Sequence, residues 1–178
     1  NNNINDLGDK MKKIIPILFV FFLIYGLTNK SDILIPSYAI RFRIIASSNS
    51  DVDQETKITI KNDLEPKLNQ LMSKAKNSNE AKSLLKENES LIKNTLDKYN
   101  VAYQISLGKN YFPEKEYQGV KIPSGNYESL VITLGEGAGK NWWCVMFPPL
   151  CLLEAKDNGT ENVNYKFFVK EILSKYTS

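Results

Sequence analysis

The sequence predicts an α+β domain: a mainly antiparallel sheet with two amphipathic helices and a C-terminal helix packed on it, preceded by an N-terminal apolar signal or anchor helix. Three observations lead there. An unbroken apolar run lies near the start, three- and four-residue spacing governs the first half, and the second half turns to alternation with aromatics, Gly and Pro. Hydrophobic residues make up 42% of the 178 and charged residues 24%, the balance of a folded chain and not a disordered one.

The apolar run spans Ile14 to Leu27 and follows Met11, Lys12 and Lys13. A positive flank before such a run has the form of a signal peptide, and the run is short for a spanning helix, which needs about twenty residues. We therefore expect residues 11–29 to be a signal peptide or a membrane anchor. Ser37-Tyr38-Ala39 has the small-x-small form of a cleavage site, and removal and retention both stay open. The positive-inside rule places Lys30 onward outside the membrane of the producing cell. Residues 1–10 are Asn-rich and carry Asp6 and Asp9, unlike an export n-region, and read as lying upstream of a true start at Met11. A linker over 30–39 and a single exported α+β domain over 40–178 complete the expected organisation.

Within that domain, Ile40–Ala46 alternates as a strand does. Ser50 with Asp53 forms a capping box that opens a helix, whose stripe is Ile60, Leu64, Leu68, Leu71, Met72 and Ala75. Pro66 inside the stripe should kink or split it. A second helix begins near Asn77 with Glu80 as capping partner and continues through Ala81, Leu84, Leu85, Leu91, Ile92, Leu96 and Tyr99. The two should lie antiparallel across a short turn. Val101, Tyr103, Ile105 and Leu107 then mark a half-buried strand, with further strands at Tyr127–Leu134 and Asn141–Phe147. The glycine-rich Gly135–Lys140 between the last two reads as a hairpin loop. Val163 to Tyr176, with Phe167, Phe168, Ile172 and Leu173, reads as a closing helix.

Absent residue types exclude much chemistry. There is no His, so Ser-His-Asp and Cys-His catalysis cannot arise within this chain. Two Cys without His cannot build a four-ligand N/S zinc site, and no cofactor is expected. The net charge of +3 comes from dispersed Lys, which argues against nucleic acid as a partner. Gly139-Lys140 imitates the end of a phosphate-binding loop, yet Leu134 stands where the earlier Gly belongs and Asn141 where Ser or Thr should hold magnesium. The acids fall on helix faces as solvated residues, which weakens a rival reading as an exported hydrolase and leaves no small-molecule substrate to expect. A wall- or membrane-binding module without a signalling role is the other rival.

Four features stand out as candidates for function. Trp142 and Trp143 are the only Trp residues and are adjacent; strand alternation sends them to opposite faces, one into the core and one outward as a candidate interface residue. Pro148 and Pro149 redirect the chain so that Cys144 and Cys151 can meet. A disulfide and a pair of free buried thiols are both open readings. Arg41 and Arg43 are the only Arg among 23 basic residues, two apart on one strand face, where the planar guanidinium fork is the asset. They either clamp acids within the domain, with Asp51, Asp53 and Glu55 downstream as candidates, or present to an acidic partner.

Two blocks resemble a known family. Arg41 to Lys57 reads R-F-R-I-I-A-S-S-N-S-D-V-D-Q-E-T-K, matching R-x-R-x-x-A-x-S-x-S-x-x-D-Q-x-x-K of the stage II sporulation protein R family. The second block runs from Pro123-Ser124-Gly125-Asn126-Tyr127-Glu128 through Leu134-Gly135-Glu136-Gly137 to the stretch N-W-W-C-V-M-F-P-P-L-C over Asn141–Cys151. The resemblance covers roughly Ile40–Leu153. It implies a forespore-made signalling protein, exported across the forespore membrane into the intermembrane space. There it would activate a membrane-embedded aspartic sporulation protease to process a precursor sigma factor, with no catalysis of its own. The membrane is implied as a second partner through the N-terminal apolar segment.

Overall fold

The computed structural model describes residues 33–117, 120–151 and 169–176, with Pro16 alone before them. Apart from Pro16, the expected signal or anchor segment lies outside the described residues, as do residues 163–168 of the expected closing helix. Among the described residues no helix is long and apolar enough to cross a membrane. The chain divides into units Asn1–Asp32 and Ile33–Ser178, and all that follows concerns the second.

The strand β1 (Ile33–Leu34) is followed by β2 (Ile40–Ile45) and then by the helices α1 (Asp51–Met72), α2 (Ser78–Glu87) and α3 (Glu89–Leu96). Strands β3 (Tyr103–Phe112), β4 (Lys115–Tyr117), β5 (Val120–Ile122), β6 (Gly125–Leu134) and β7 (Asn141–Phe147) come next. A helix over 169–174, α4, closes the described chain. The expected helix starts hold: Ser50 caps α1 by accepting from Asp53 N, and Asn77 caps α2 by accepting from Glu80 N. Each side chain satisfies one N–H that the first turn leaves without a partner.

Two helix expectations need revision. Of the kink or split expected at Pro66, the split does not occur, since α1 runs through it as one helix. Ile60, Leu64, Leu68 and Met72 are essentially fully buried along one stripe, and that packing outweighs the one hydrogen bond a proline removes. The second helix is two helices, broken at Asn88, whose side-chain amide donates to the Leu84 carbonyl at 2.8 Å. Such local side-chain bonding competes with the helical ladder.

The principal sheet has the order β3-β6-β2-β7. It is mixed, and this corrects the expectation of a mainly antiparallel sheet: β2 pairs with β6 in parallel, while β3 with β6 and β2 with β7 are antiparallel. Parallel neighbours need a long connection, and α1 to α3 together with β3 to β5 supply it. Because β6 and β7 flank β2 on opposite sides, Gly135–Lys140 is not a hairpin. It passes over the end of β2. Six residues between two strands imitate a hairpin in sequence, and only the pairing distinguishes the two.

A second, three-stranded sheet has the order β1-β5-β4, with β1 and β5 parallel. Thus the stretch expected as a linker over 30–39 supplies a strand, and Ile35 and Ala39 in it are buried. The main core lies between the helices and one face of the principal sheet. Ile40, Phe42, Ile44, Leu130, Ile132, Cys144 and Met146 meet the α1 stripe there. The opposite face carries two smaller clusters, one around Val145 with Ile35, Val120 and Ile122, and one of Phe112, Tyr127 and Val131.

Candidate functional site

The turn after β2 and the glycine-rich crossover interlock. Ser48 Oγ donates to Asp53 at 2.5 Å, and Gln54 Nε2 donates to the Ser48 carbonyl at 2.8 Å. Lys57, 5% exposed, donates to Gln54 Oε1 at 2.6 Å and to the Lys140 carbonyl at 3.0 Å. Burial holds its pKa below the ordinary lysine value, with the Lys140 charge adding to the effect. From the crossover, the N–H groups of Ala138 and Gly139 donate to the Ser47 and Ala46 carbonyls, and Lys140 N–H to Asn49 Oδ1. A Cβ at Gly139 would stand 2.2 Å from the Ser48 carbonyl oxygen, so only glycine admits this approach. Ser48, Ser50, Asp53, Gln54 and Lys57 are therefore one lock between strand, helix and crossover.

Asp53 is spent in that lock. Among the described residues no ion pair joins Arg41 or Arg43 to Asp51, Asp53 or Glu55, so these acids are not the internal clamp the sequence offered. The arginines face the other way. Ile40, Phe42 and Ile44 enter the main core, while Arg41 and Arg43 project from the opposite face of β2.

There Arg41 is 1% exposed, its guanidinium carbon 4.2 Å from the Phe112 ring centre, 4.3 Å from Trp143 and 5.2 Å from Tyr127. Arg43 lies over Phe112 at 4.3 Å, and Lys115 Nζ over Trp143 at 4.9 Å. Phe112 and Trp143 stack at 5.7 Å. Arg43, Phe112, Arg41, Trp143 and Lys115 thus alternate cation and ring, each desolvated contact stabilising by about 1–2 kcal/mol. Arg43 donates Nη2–H to the Tyr111 carbonyl at 3.3 Å, and burial holds its pKa below the ordinary arginine value. Burial likewise raises the Tyr127 phenol, opposed by the Arg41 charge.

The tryptophans do take opposite faces. Trp142 meets Phe42 edge-on at 5.5 Å with Lys61 Nζ 5.1 Å away, on the helix side. The sharper expectation, one Trp in the core and one outward, is corrected, because both are half-buried. The outer face has an aromatic cluster of its own, which Trp143 joins. Phe112, Tyr127 and Lys115 were missed as parts of the site. Tyr127 was legible as a strand residue and as part of a motif block but not as a neighbour of Arg41, and the stretch after Leu107 carries no periodicity.

Cys144 and Cys151 form the disulfide, with Cα atoms 5.1 Å apart and both residues 2% exposed. The Phe147–Pro148 peptide is cis, Pro148 is buried and Pro149 half-buried. The turn folds back until Leu150 N–H reaches the Val145 carbonyl at 3.1 Å. Closing so short a loop stabilises by about 2.5 kcal/mol in the chain-entropy model. Among the described residues no group of His, Cys, Asp and Glu is gathered to hold a metal ion.

Comparison with known proteins agrees with these motifs. The family model described as stage II sporulation protein R matches residues 36–157. The chain belongs to the stage II sporulation protein R family. A curated relative, Stage II sporulation protein R of Bacillus subtilis (strain 168), is 35% identical over 161 residues, covering 80% of this chain and 72% of the relative. No solved structure matches. Membership gives the chain a sporulation-related role, and the family's description names no catalysed reaction. The match spans both interlocked motif blocks, so the lock and the cation–aromatic face lie inside the family region.

Proposed function

We propose that this family member is an exported sporulation signal that activates a membrane-embedded aspartic protease, which then processes a precursor sigma factor. In this reading residues 11–29 carry it across the forespore membrane or hold it there, and the folded domain acts in the intermembrane space as a ligand. The observation that carries the reading is the family match over 36–157, whose most specific stretch, Asn141–Cys151, is braced by the disulfide. Bracing lowers the entropy cost of docking, as a binding segment requires. Trp142, Trp143 and Pro149 are the half-buried members of that stretch, and we assign docking to the face that carries Trp143.

The test is processing of the precursor in cells that supply the protease and either Trp143→Ala or Trp142→Ala. If Trp143 is a hot spot, its truncation costs about 2 kcal/mol, near thirtyfold in affinity, while far-UV circular dichroism stays native. Trp142→Ala instead lowers stability through its contact with Phe42. A folded Trp143→Ala protein that supports processing at the wild-type level would overturn the assignment.

A further inference from the structure

The outer face of the principal sheet ends in two cations with no acidic partner among the described residues. Arg43 and Lys115 sit at the ends of the cation–ring series, and neither forms an ion pair among the described residues. Both are only half-buried. Arg43 is poorly served by its own domain. Among the described residues its Nε–H is shut off from solvent without an acceptor, and its one hydrogen bond, to the Tyr111 carbonyl, is long at 3.3 Å. A guanidinium stripped of part of its water without a carboxylate in return is a group that a partner's acid can satisfy. Tyr111 beside it is 60% exposed, leaving an amphipathic ring at the rim.

We infer that Arg43 and Lys115, with Trp143 and Tyr111, form a docking site for an acidic, extended segment of a partner protein. An Asp or Glu carboxylate meets the Arg43 fork end-on through Nη1 and Nη2, because Nε is buried. A second acid pairs with Lys115, and the partner chain between them lies across Trp143. Charge complementarity selects an acidic segment over a basic or neutral one. The stacked rings hold the cations in place before binding, which reduces the ordering that docking requires. This inference rests on the docking reading above and gives that face its partner chemistry.

The test uses the full chain, isotope-labelled, and its two Trp indole N–H signals. The probe is acetyl-Asp-Leu-Glu-Asp-amide, with acetyl-Asn-Leu-Gln-Asn-amide as its neutral twin. The acidic peptide should shift the Trp143 indole signal saturably and leave Trp142 unmoved, and the neutral twin should do neither. Arg43→Lys keeps the charge but loses the fork and should weaken binding about tenfold; Arg43→Gln should abolish it. Should Arg43→Gln lose its dispersed spectrum, Lys115→Gln takes its place, with about threefold weaker binding expected. Equal movement of both indoles, movement of neither, or wild-type titration by the folded variants would overturn the site. So would the same Trp143 shift with phosphatidylglycerol vesicles and none with the peptide, since the surface would then read lipid. Failure here is separable from failure of the activator reading. A chain that binds the peptide yet never triggers processing keeps the acidic dock and loses the activator role, and processing without peptide binding does the reverse.

Discussion

Within β2 the two faces of one strand obey different rules. Phe42 and Ile44 on the helix side are wholly buried in an apolar core, held by loss of water from apolar surface. Arg41, next to Phe42 in sequence and nearly as deeply buried, is held by rings on the other side. Burial alone therefore does not tell which side of the sheet a residue serves. The helix side tolerates any shape that fills it, at a cost set by volume. The arginine side depends on a charge staying flat between rings, so its chemistry is more specific and its partners fewer.

The largest effect that probes this contrast is expected at Phe42. Phe42→Ala should cost about 3–5 kcal/mol in urea unfolding, with little dependence on salt. A loss below about 1 kcal/mol would mean that the helix-side core is not packed as described. Arg41→Lys should come next. It retains the charge and loses planar stacking, and we expect a cost of about 1–2 kcal/mol with native circular dichroism. Equal stability of the Lys variant would show that the face needs only a cation, and the contrast between the faces would collapse to size.

The smallest effect concerns pH and belongs to the rim of the helix layer. Asp63 has its pKa held down first by the Lys67 hydrogen bond and further by the Lys67 and Lys98 charges. Its folded pKa lies below the unfolded one, so its contribution is present above the unfolded value and is lost as pH falls through the folded value. The melting temperature should decline below about pH 4, and Asp63→Asn should flatten that decline. An unchanged acid limb in the Asn variant would assign the decline to other carboxylates. Arg43 stays a charged guanidinium over that range, so its end of the acidic dock should not contribute.

Legibility followed how local each signal was. The caps at Ser50 and Asn77 were readable because a capping box needs only residues three apart. The strands β2 and β3 were readable from alternation, and β6 and β7 as strand-like stretches of the aromatic-rich second half. The short strands β1, β4 and β5 were not, because two or three residues carry no period. The Arg pair was legible as unusual, yet its surroundings were not. Phe112 and Trp143 are thirty-one positions apart in sequence, on the two outer strands of the sheet, and meet only in the folded chain.

By itself the sequence determined the α+β class, the helix starts, the opposite facing of Trp142 and Trp143, and the family, since each rests on short-range spacing or on a contiguous motif. Only the tertiary structure decided the parallel β2–β6 pairing, the crossover in place of a hairpin, the joining of Cys144 to Cys151, and the rings around Arg41. These depend on which strands lie side by side. Strand order is set by how the helices, crossover and sheet bury apolar surface together, and that sum over distant residues has no signature in any one stretch of chain.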